Sequence, residues 1–259
     1  MNTPLSESTT RMLNKVPEVT IFFWIIKIMA TTVGETAADF LNAKLHLGLT
    51  GTSIVMGALL LVFLAIQMRF RKYVPWIYWV TVVLLSIFGT LITDNLVENF
   101  GVTLETTTAL FSVALLATFA SWYASEKNLS IHTIYTTKRE LFYWAAILFT
   151  FALGTAAGDL AAEGLHLGYA TSALVFGALI GAVAIAYYVF KANAILAFWI
   201  AYILTRPFGA SCGDWFSKPL ADGGLGMGNV GTSGLFLVTI LALVVYLTIS
   251  KRDMIASET

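Results

Sequence analysis

The sequence predicts an all-α membrane protein in which eight transmembrane helices form four parallel-oriented helical hairpin repeats. Hydrophobic residues make up 58% of the chain and charged residues only 12%, with a mean hydropathy of +0.81. Soluble domains carry about 25% charged residues. A glycine followed five residues later by an aspartate also recurs four times, each time within an apolar stretch. The copies are Gly34 to Asp39, Gly89 to Asp94, Gly154 to Asp159 and Gly209 to Asp214.

The apolar runs have the length that a membrane requires. A transmembrane helix needs about 20 predominantly apolar residues. Runs near this length lie at residues 19–41, 51–68, 75–97, 107–125, 141–163, 170–190, 194–217 and 231–250. They lack the apolar–polar alternation of outer-membrane barrel strands. Helices are therefore predicted, because a helix satisfies its own backbone hydrogen bonds in lipid.

Basic residues are divided unequally between the two sets of loops. One set of loops and ends holds eleven of them, and the other holds only Lys44 and Lys218. The eleven are Arg11, Lys15, Arg69, Arg71, Lys72, Lys127, Lys138, Arg139, Lys191, Lys251 and Arg252. The positive-inside rule places the richer side, and with it both termini, in the cytoplasm. The first apolar run is too long for the h-region of a signal peptide, so no cleavage is expected.

The spacing of the glycine–aspartate motifs defines the repeat. Successive motifs lie 55, 65 and 55 residues apart, so each copy fits two helices with the motif in the outer half of the first. We predict a single integral membrane domain over residues 1–259. Its repeats are expected at about 15–70, 71–127, 138–190 and 191–250. Residues 34–59 and 154–179 match at 11 of 26 positions, which indicates two duplicated halves, 1–130 and 131–259.

Parallel repeats would bring the four aspartates to one depth around an axis along the membrane normal. A carboxylate at the centre of a transmembrane helix costs about 2.5–3.5 kcal/mol on insertion scales, so acids in every repeat suggest a function. Residues four apart share a helix face, and polar neighbours therefore accompany the aspartates. They are Glu35, Thr90 and Thr155, with Ser211 beside Ala210 in the fourth copy, and Glu98 and Glu163 one turn beyond the second and third aspartates.

Two basic residues lie deep in the predicted spans, Lys27 in the first and Arg206 in the seventh. One interpretation is that each forms a buried pair with an acid. The other is that one of them competes with a transported ion for a carboxylate. Pro207 removes a backbone donor in mid-span and predicts a kink. The Gly-rich segment 222–234 is either a hinge or an ordinary outer loop.

The outer halves of the spans hold seven acids against these two bases. Protons or metal ions are expected to neutralise the surplus, unless several acids lie in the wet headgroup region. Carboxylate and hydroxyl oxygens suit hard cations such as Mn²⁺, Mg²⁺ or Ca²⁺, or protons and Na⁺. Such an ion would be a substrate, and no resident cofactor is predicted. The expected metal ligands are Glu35, Asp39, Asp94, Asp159 and Asp214.

Other polar residues have alternative interpretations. His46 and His166 occur in the same Leu-His-Leu-Gly context and are expected to mark the outer interface, or to bind a proton or metal. The lone Cys212 cannot form an internal disulfide, and a net charge of zero gives no reason to expect nucleic acid as a partner. Each second helix opens with hydroxyls that are N-caps and helix contacts, or neutral ion ligands. They are Thr52, Ser53, Thr107, Thr108, Thr171, Ser172, Thr232 and Ser233.

An intramembrane hydrolase is a further alternative. Residues 231–234 match the Gly-x-Ser-Gly form of intramembrane serine proteases, but no histidine follows residue 166. Gly158-Asp159 and Gly213-Asp214 partly match intramembrane aspartyl proteases, but their first glycine is replaced by Ala156 and Ser211. Four symmetric aspartates also do not suit a two-aspartate site. We therefore do not expect an enzyme.

With these motifs in place, the chain resembles a family of bacterial integral membrane proteins built from a four-copy repeat of unknown function, often labelled membrane-anchored proteins. The resemblance covers residues 14 to 250 and implies the bacterial inner membrane, but no activity. The residues that carry it are Lys15-Val16-Pro17-Glu18, Trp24, Lys27, Gly34-Glu35-Thr36-Ala37-Ala38-Asp39, Gly89-Thr90-Leu91-Ile92-Thr93-Asp94, Gly154-Thr155-Ala156-Ala157-Gly158-Asp159, Arg206-Pro207 and Gly213-Asp214.

From the residues we predict a multi-pass cation transporter, with exchange of a divalent metal for protons as one mechanism. The intramembrane carboxylates would form its ion site. The alternative from another class is a structural or regulatory membrane protein whose acids pair internally and move nothing. The lipid bilayer and a small cation are the expected partners, and an exposed apolar flank would permit a homo-oligomer.

Overall fold

The computed structural model describes residues 14–45 and 47–253. Every regular element in these ranges is helical, and eight helices of 20 to 25 residues are long and apolar enough to cross a membrane. The predicted fold class is confirmed. The helices are α1 (Ile21–Leu45), α2 (Gly48–Arg69), α3 (Pro75–Asp94), α4 (Leu104–Glu126), α5 (Thr137–Asp159), α6 (Tyr169–Tyr188), α7 (Ala194–Ser217) and α8 (Gly228–Ser250).

The first helices of the four repeats form an inner ring. Helix α1 packs against α3, α3 against α5, α5 against α7, and α7 returns to α1. Between 44% and 72% of the residues in these four spans are buried, against 11% to 28% in α2, α4, α6 and α8. The outer four helices therefore present most of their apolar side chains to the surroundings, where lipid would lie.

Each outer helix packs mainly against the inner helix of the following repeat. Helix α2 lies on α3, α4 on α5 and α6 on α7, and α8 completes the pattern by lying on α1. The two helices of one repeat are therefore adjacent in sequence, but the outer helix packs mainly on the next repeat. Because α8 covers α1, the last repeat closes onto the first and the fold has no unpaired end.

The motif glycines lie where neighbouring inner helices cross. Each faces the residue three positions before the glycine of the next repeat, in the order Gly34–Ser86, Gly89–Phe151, Gly154–Arg206 and Gly209–Thr31. A Cβ built on any of the four would overlap that neighbour. Small residues allow helices to approach closely in membranes. The glycine of the repeat is thus explained by the closed ring, which the sequence pattern did not reveal.

Aromatic residues interlock the ring at the opposite end. Eleven residues before each motif glycine lies a Phe or Tyr, which a Trp follows directly. The Phe or Tyr ring contacts the Trp ring of the next repeat, or of the first repeat in the case of the fourth. The ring centroids are 5.7 Å apart for Phe23–Trp79, 5.6 Å for Tyr78–Trp144, 6.3 Å for Tyr143–Trp199 and 5.7 Å for Phe198–Trp24. Equivalent positions meet at both levels, so the inner helices run parallel. We call this the aromatic end, and the end with the motif aspartates the acidic end.

The segment before α1 is tied across the aromatic end. Lys15 Nζ lies 2.5 Å from Glu140 Oε2 at the start of α5 and also donates to the carbonyl of Met68 at 3.1 Å. Tyr73 donates its hydroxyl to Asp253 Oδ2 at 2.6 Å. These bonds join Lys15 to α2 and α5 and join Asp253 to the loop before α3, so the aromatic end is closed by polar contacts around its ring stack.

The inner helices differ at the acidic end. Helices α3 and α5 end at Asp94 and Asp159, and each is followed by a π-helical turn, Asn95–Asn99 and Leu160–Gly164. Helix α1 instead continues past its aspartate to Leu45, and α7 continues through Pro207 to Ser217. Such π turns recur at functional sites. The four repeats are therefore regular at one end of the ring and unequal at the other.

Candidate functional site

Arg206 joins the four repeats at the centre of the ring. Its side chain is fully buried. Nη2 donates to Thr90 Oγ1, to Thr155 Oγ1 at 2.7 Å and to Glu35 Oε2 at 3.1 Å, and Nη1 donates to the carbonyl of Thr31 at 3.0 Å. The hydroxyls of Thr90 and Thr155, which were expected to assist an ion, thus bind this guanidinium. They can do so because α7 inserts Arg206 between α3 and α5 at their level.

Lys27 lies one layer nearer the aromatic end and makes a different set of contacts. Its Nζ is 4.3 Å from the ring centre of Phe151 and 4.2 Å from that of Tyr202. The side chain is fully buried, and Nζ has no hydrogen-bond partner within the described ranges. The interpretation that each deep cation pairs with an acid is therefore right for Arg206 and wrong for Lys27, which aromatic rings surround.

Three carboxylates from different repeats converge beside Arg206. One oxygen each from Glu35, Asp159 and Asp214 lies within 4.8 Å of the other two. We call these residues the carboxylate triad. Hard divalent ions sit about 2.0–2.6 Å from their oxygen ligands, which allows ligand oxygens up to about 4–5 Å apart. The triad therefore has dimensions that one such ion could bridge.

The other two predicted ligands do not belong to this group, as far as the described residues extend. Asp39 Oδ2 instead lies 3.4 Å from Lys218 Nζ and 3.5 Å from Asn229 Nδ2. Asp94 is half-buried at the end of α3. Among the described residues, the group that one ion could bridge thus contains two of the four aspartates together with Glu35. Arg206 pairs with Glu35, and Lys218 pairs with Asp39.

Lys218 is a site residue that the sequence analysis missed. Its Nζ lies between Asp39 on α1 and Asp214 Oδ1 on α7, at 3.4 and 3.7 Å. Burial lowers the pKa of this amine, but the Asp39 and Asp214 carboxylates raise it further, so that the pKa lies above its ordinary value. Two signals were available: Lys218 follows Asp214 by four residues, and it is one of two basic residues assigned to the outer loops.

The Gly-rich loop after Lys218 is bonded to the end of α7. The amide of Gly226 donates to the carbonyl of Lys218 at 2.9 Å, and the amide of Leu225 donates to that of Trp215 at 2.6 Å. Gly223 and Gly226 have φ of 82° and 73°, a conformation that glycine adopts readily. The glycines therefore serve a tight return that fixes the backbone of Lys218 above the triad.

Comparison with known families identifies the repeat. The model of a family described as Repeat of Unknown Function (DUF347) matches residues 22–73, 77–128, 142–193 and 197–253. The chain belongs to this family. Each match takes in one inner and one outer helix, which confirms the four-copy repeat inferred from the sequence. No curated protein and no solved structure matches the chain.

The other predicted acids and histidines of this DUF347 protein lie at the surface or outside the described residues. Glu98 and Glu163 are exposed, and Glu163 Oε1 accepts a hydrogen bond from the Tyr169 hydroxyl at 3.0 Å. His166 is exposed in the loop before α6, whereas His46 lies outside the described residues. These two glutamates therefore have access to water, as the headgroup interpretation anticipated for some of the acids.

Hydroxyls on the outer helices face the ring but do not cap their helices. The N-caps of α2, α4, α6 and α8 are Leu47, Thr103, Gly168 and Met227. The predicted residues lie further along, and four are fully buried: Thr52, Thr107, Ser172 and Thr232. The Ser233 hydroxyl is 2.6 Å from that of Thr36. The N-cap interpretation is wrong. The buried hydroxyls are enclosed between helices, whereas Thr171 is exposed, and their role as neutral ion ligands stays a prediction.

Two smaller side chains remain near the triad. Ser211 on α7 is buried, and its hydroxyl oxygen has no hydrogen-bond partner among the described residues. Cys212 is a free thiol whose side chain is part-buried. A buried hydroxyl without a partner is uncommon, so Ser211 is the better candidate for an added neutral oxygen ligand.

Proposed function

We propose that this protein is a cation transporter of the bacterial inner membrane, with both termini in the cytoplasm and the acidic end facing outward. The carboxylate triad is the observation that carries the proposal. Carboxylates within spans are rare, and they commonly mark ion pathways. Here three of them come from separate repeats to one place beside the axis of the ring.

The charge balance of the site supports a cationic substrate. Five carboxylates of the spans lie in this region, Glu35, Asp39, Asp94, Asp159 and Asp214. Among the basic residues that the structure describes, only Arg206 and Lys218 pair with them. Two unit charges 4 Å apart interact by about 4 kcal/mol in a partly buried site. Crowded carboxylates therefore favour either proton binding or the capture of a cation, and these two events would compete.

The donor set favours a hard cation. Carboxylate oxygens and the Ser211 hydroxyl suit Mn²⁺, Mg²⁺ or Ca²⁺, while thiol and imidazole ligands for softer metals are absent from the triad. Protons and Na⁺ suit the same oxygens. We propose that a divalent ion enters from the acidic end and replaces protons on the triad, which couples metal movement to proton movement in the opposite direction.

The inner ring is closed below the triad, which favours a carrier over an open pore. An ion leaving the triad along the axis would meet the Arg206 guanidinium, then the Lys27 amine and then the aromatic stack. Two positive charges repel a cation, and packed rings leave it no oxygen ligands. Release at the aromatic end therefore requires the inner helices to move, and loosening of the Arg206–Glu35 pair would be part of that motion.

Flux through liposomes containing the purified protein tests the proposal. Wild type is expected to take Mn²⁺ into the liposomes when a proton gradient drives protons out of them. Asp159→Asn, Asp214→Asn and Glu35→Gln are expected to lose most of that flux. Asp222→Asn is the matched control, because Asp222 is an exposed acid at the same end of the molecule. Equal transport of metal and protons by all four variants and wild type would rule out the triad as the ion site.

The internal pairing favours a second candidate, a structural or regulatory membrane protein. Arg206 already neutralises Glu35, and Lys218 is shared between Asp39 and Asp214. On this alternative, wild type shows neither Mn²⁺ flux nor Mn²⁺ binding. The triad substitutions would then change only the thermal stability of the protein, so flux and melting measurements on the same preparations separate the two functions.

A further inference from the structure

We propose that Lys218 is a tethered competitor whose ammonium group occupies the mouth of the cation site and must be displaced before a cation binds there. This inference rests on the proposed function and assigns the regulation of the same site. The position of the ammonium carries it. A cation supplied by the chain already lies between Asp39 and Asp214, which shows that this end of the triad accepts positive charge.

The contacts of this ammonium are long. Its distances of 3.4 Å to Asp39 and 3.7 Å to Asp214 exceed the about 2.7–2.9 Å of a strong charge-assisted hydrogen bond. Its side chain is also 34% exposed. A partly hydrated ammonium held at such distances can be displaced more readily than the Arg206 guanidinium, which is fully buried and bonded on several sides.

The backbone that carries the amine is fixed. The Lys218 amide donates to the carbonyl of Asp214 at 2.8 Å, and the Lys218 carbonyl accepts from Gly226 at 2.9 Å. Gly224 packs so closely that a Cβ there would overlap the Lys218 carbonyl. Exchange of the amine therefore needs only side-chain rotation about a stationary Cα. Asn229 remains beside Asp39 when the amine leaves.

The charge of the incoming ion decides the exchange. Na⁺ brings the same single charge as the ammonium it would displace, so the exchange gains no net attraction to the carboxylates. A divalent ion brings twice the charge and reaches the three oxygens of the triad together. Competition by a resident group lowers the apparent affinity in proportion to the fraction of free site. Lys218 therefore weakens binding of every cation by the same factor, and only an ion that the carboxylates attract strongly, such as a divalent ion, still binds at low concentration.

Mn²⁺ binding to full-length protein in lipid nanodiscs, measured by calorimetry with and without Na⁺, tests this inference. Lys218→Met keeps the length of the side chain and removes its charge, and it is expected to tighten Mn²⁺ binding about tenfold. Na⁺ should then inhibit Mn²⁺ binding to the variant at concentrations that leave wild type unaffected. Lys44→Met is the matched control, because Lys44 is an exposed basic residue at the same end of the molecule.

Each other result contradicts a defined part of the proposal. The role of Lys218 is overturned if Lys218→Met binds Mn²⁺ no more tightly than wild type. The cation site itself is retained in that case if Asp159→Asn removes the Mn²⁺ binding seen in wild type. A tenfold gain in Lys44→Met as well would show a general effect of surface charge and also overturn it. No Mn²⁺ binding by wild type or by Lys218→Met overturns the proposed function itself. Misfolding cannot produce the expected gain in affinity.

Discussion

The two ends of the inner ring are built from the same four repeats, yet the contacts are symmetric at the aromatic end and asymmetric at the acidic end. At the aromatic end each copy supplies a Phe or Tyr followed by Trp, and each pair contacts the next in the same way. At the acidic end the residue after the motif glycine is a threonine in the second and third copies, where both accept from Arg206, but not in the first and fourth. The four residues are Glu35, Thr90, Thr155 and Ala210.

This difference indicates that the symmetric contacts of the aromatic end stabilise the ring, whereas the asymmetric residues of the acidic end form the candidate site. Four equal aromatic contacts close the ring without any residue having a special role. One arginine cannot be repeated at the same place, because four guanidiniums would repel one another at the centre of the ring. The equivalents of Arg206 are Thr31, Ser86 and Phe151. The unequal positions therefore mark the candidate site.

The largest expected effect comes from breaking the acidic end at its centre. Arg206→Met leaves Glu35 of the carboxylate triad buried without its partner, and it should lower the free energy of unfolding by about 3–5 kcal/mol. Thermal unfolding in detergent measures the change against Arg71→Met, an exposed arginine. Glu35→Gln combined with Arg206→Met should recover part of the loss. Equal melting of Arg206→Met and Arg71→Met would show that the pair does not hold the ring.

The next effect concerns the glycine crossings that both ends depend on. Gly154→Ala should destabilise the protein by about 1–3 kcal/mol, because the added methyl meets the Arg206 stem and Pro207. Gly181→Ala on α6 is the control, since a Cβ there meets no atom within 4 Å. Its helix should gain rather than lose stability. If both variants melt alike, close packing is not what the motif glycine provides.

Lys27 tests the boundary between the two ends. Its amine is fully buried, with aromatic rings but no acid or hydrogen-bond acceptor as described partners. Lys27→Met retains the packing and removes the amine, so it should raise the free energy of unfolding by about 1 kcal/mol. The melting temperature relative to Lys72→Met, an exposed lysine, reports this. A lowered melting temperature would show that the amine stabilises the ring.

The smallest expected effect sharpens the comparison at the aromatic end. Tyr78→Phe removes the 2.5 Å hydrogen bond to the Tyr143 hydroxyl but keeps the ring stack. It should cost about 0.5–1.5 kcal/mol of stability and leave Mn²⁺ binding at the acidic end unchanged. Melting and calorimetry on one preparation measure both. A change in Mn²⁺ affinity would show that the two ends are energetically coupled.

The sequence predicted the elements well because hydropathy and repeat spacing are properties of single segments. The eight spans, the four copies and the presence of acids in α1, α3, α5 and α7 all follow from such local patterns. The pair of a Phe or Tyr followed by Trp is also visible in the sequence at a constant distance before each glycine. Only the structure shows that these pairs contact one another between repeats. Arg206 was found as a deep cation, but its contacts with the other three repeats were not.

Pairing across helices could not be predicted in the same way. The sequence indicates that Asp39, Asp94, Asp159 and Asp214 occupy equivalent positions, and equivalence suggested a common site. The structure instead brings Asp159 and Asp214 together with Glu35, while Arg206 pairs with Glu35 and Lys218 lies between Asp39 and Asp214. Lys218 itself escaped notice because it follows the last turn of α7 and resembles an ordinary loop lysine.

By itself, the sequence determined that this chain is an all-α membrane protein of four helical repeats with carboxylates in every inner helix. Tertiary structure decided that each outer helix crosses to the following repeat, that α8 closes the ring on α1, and that three acids meet beside one arginine. The physical reason is that apolar length and periodicity belong to one helix at a time, whereas the meeting of charges depends on how several helices pack and at what register.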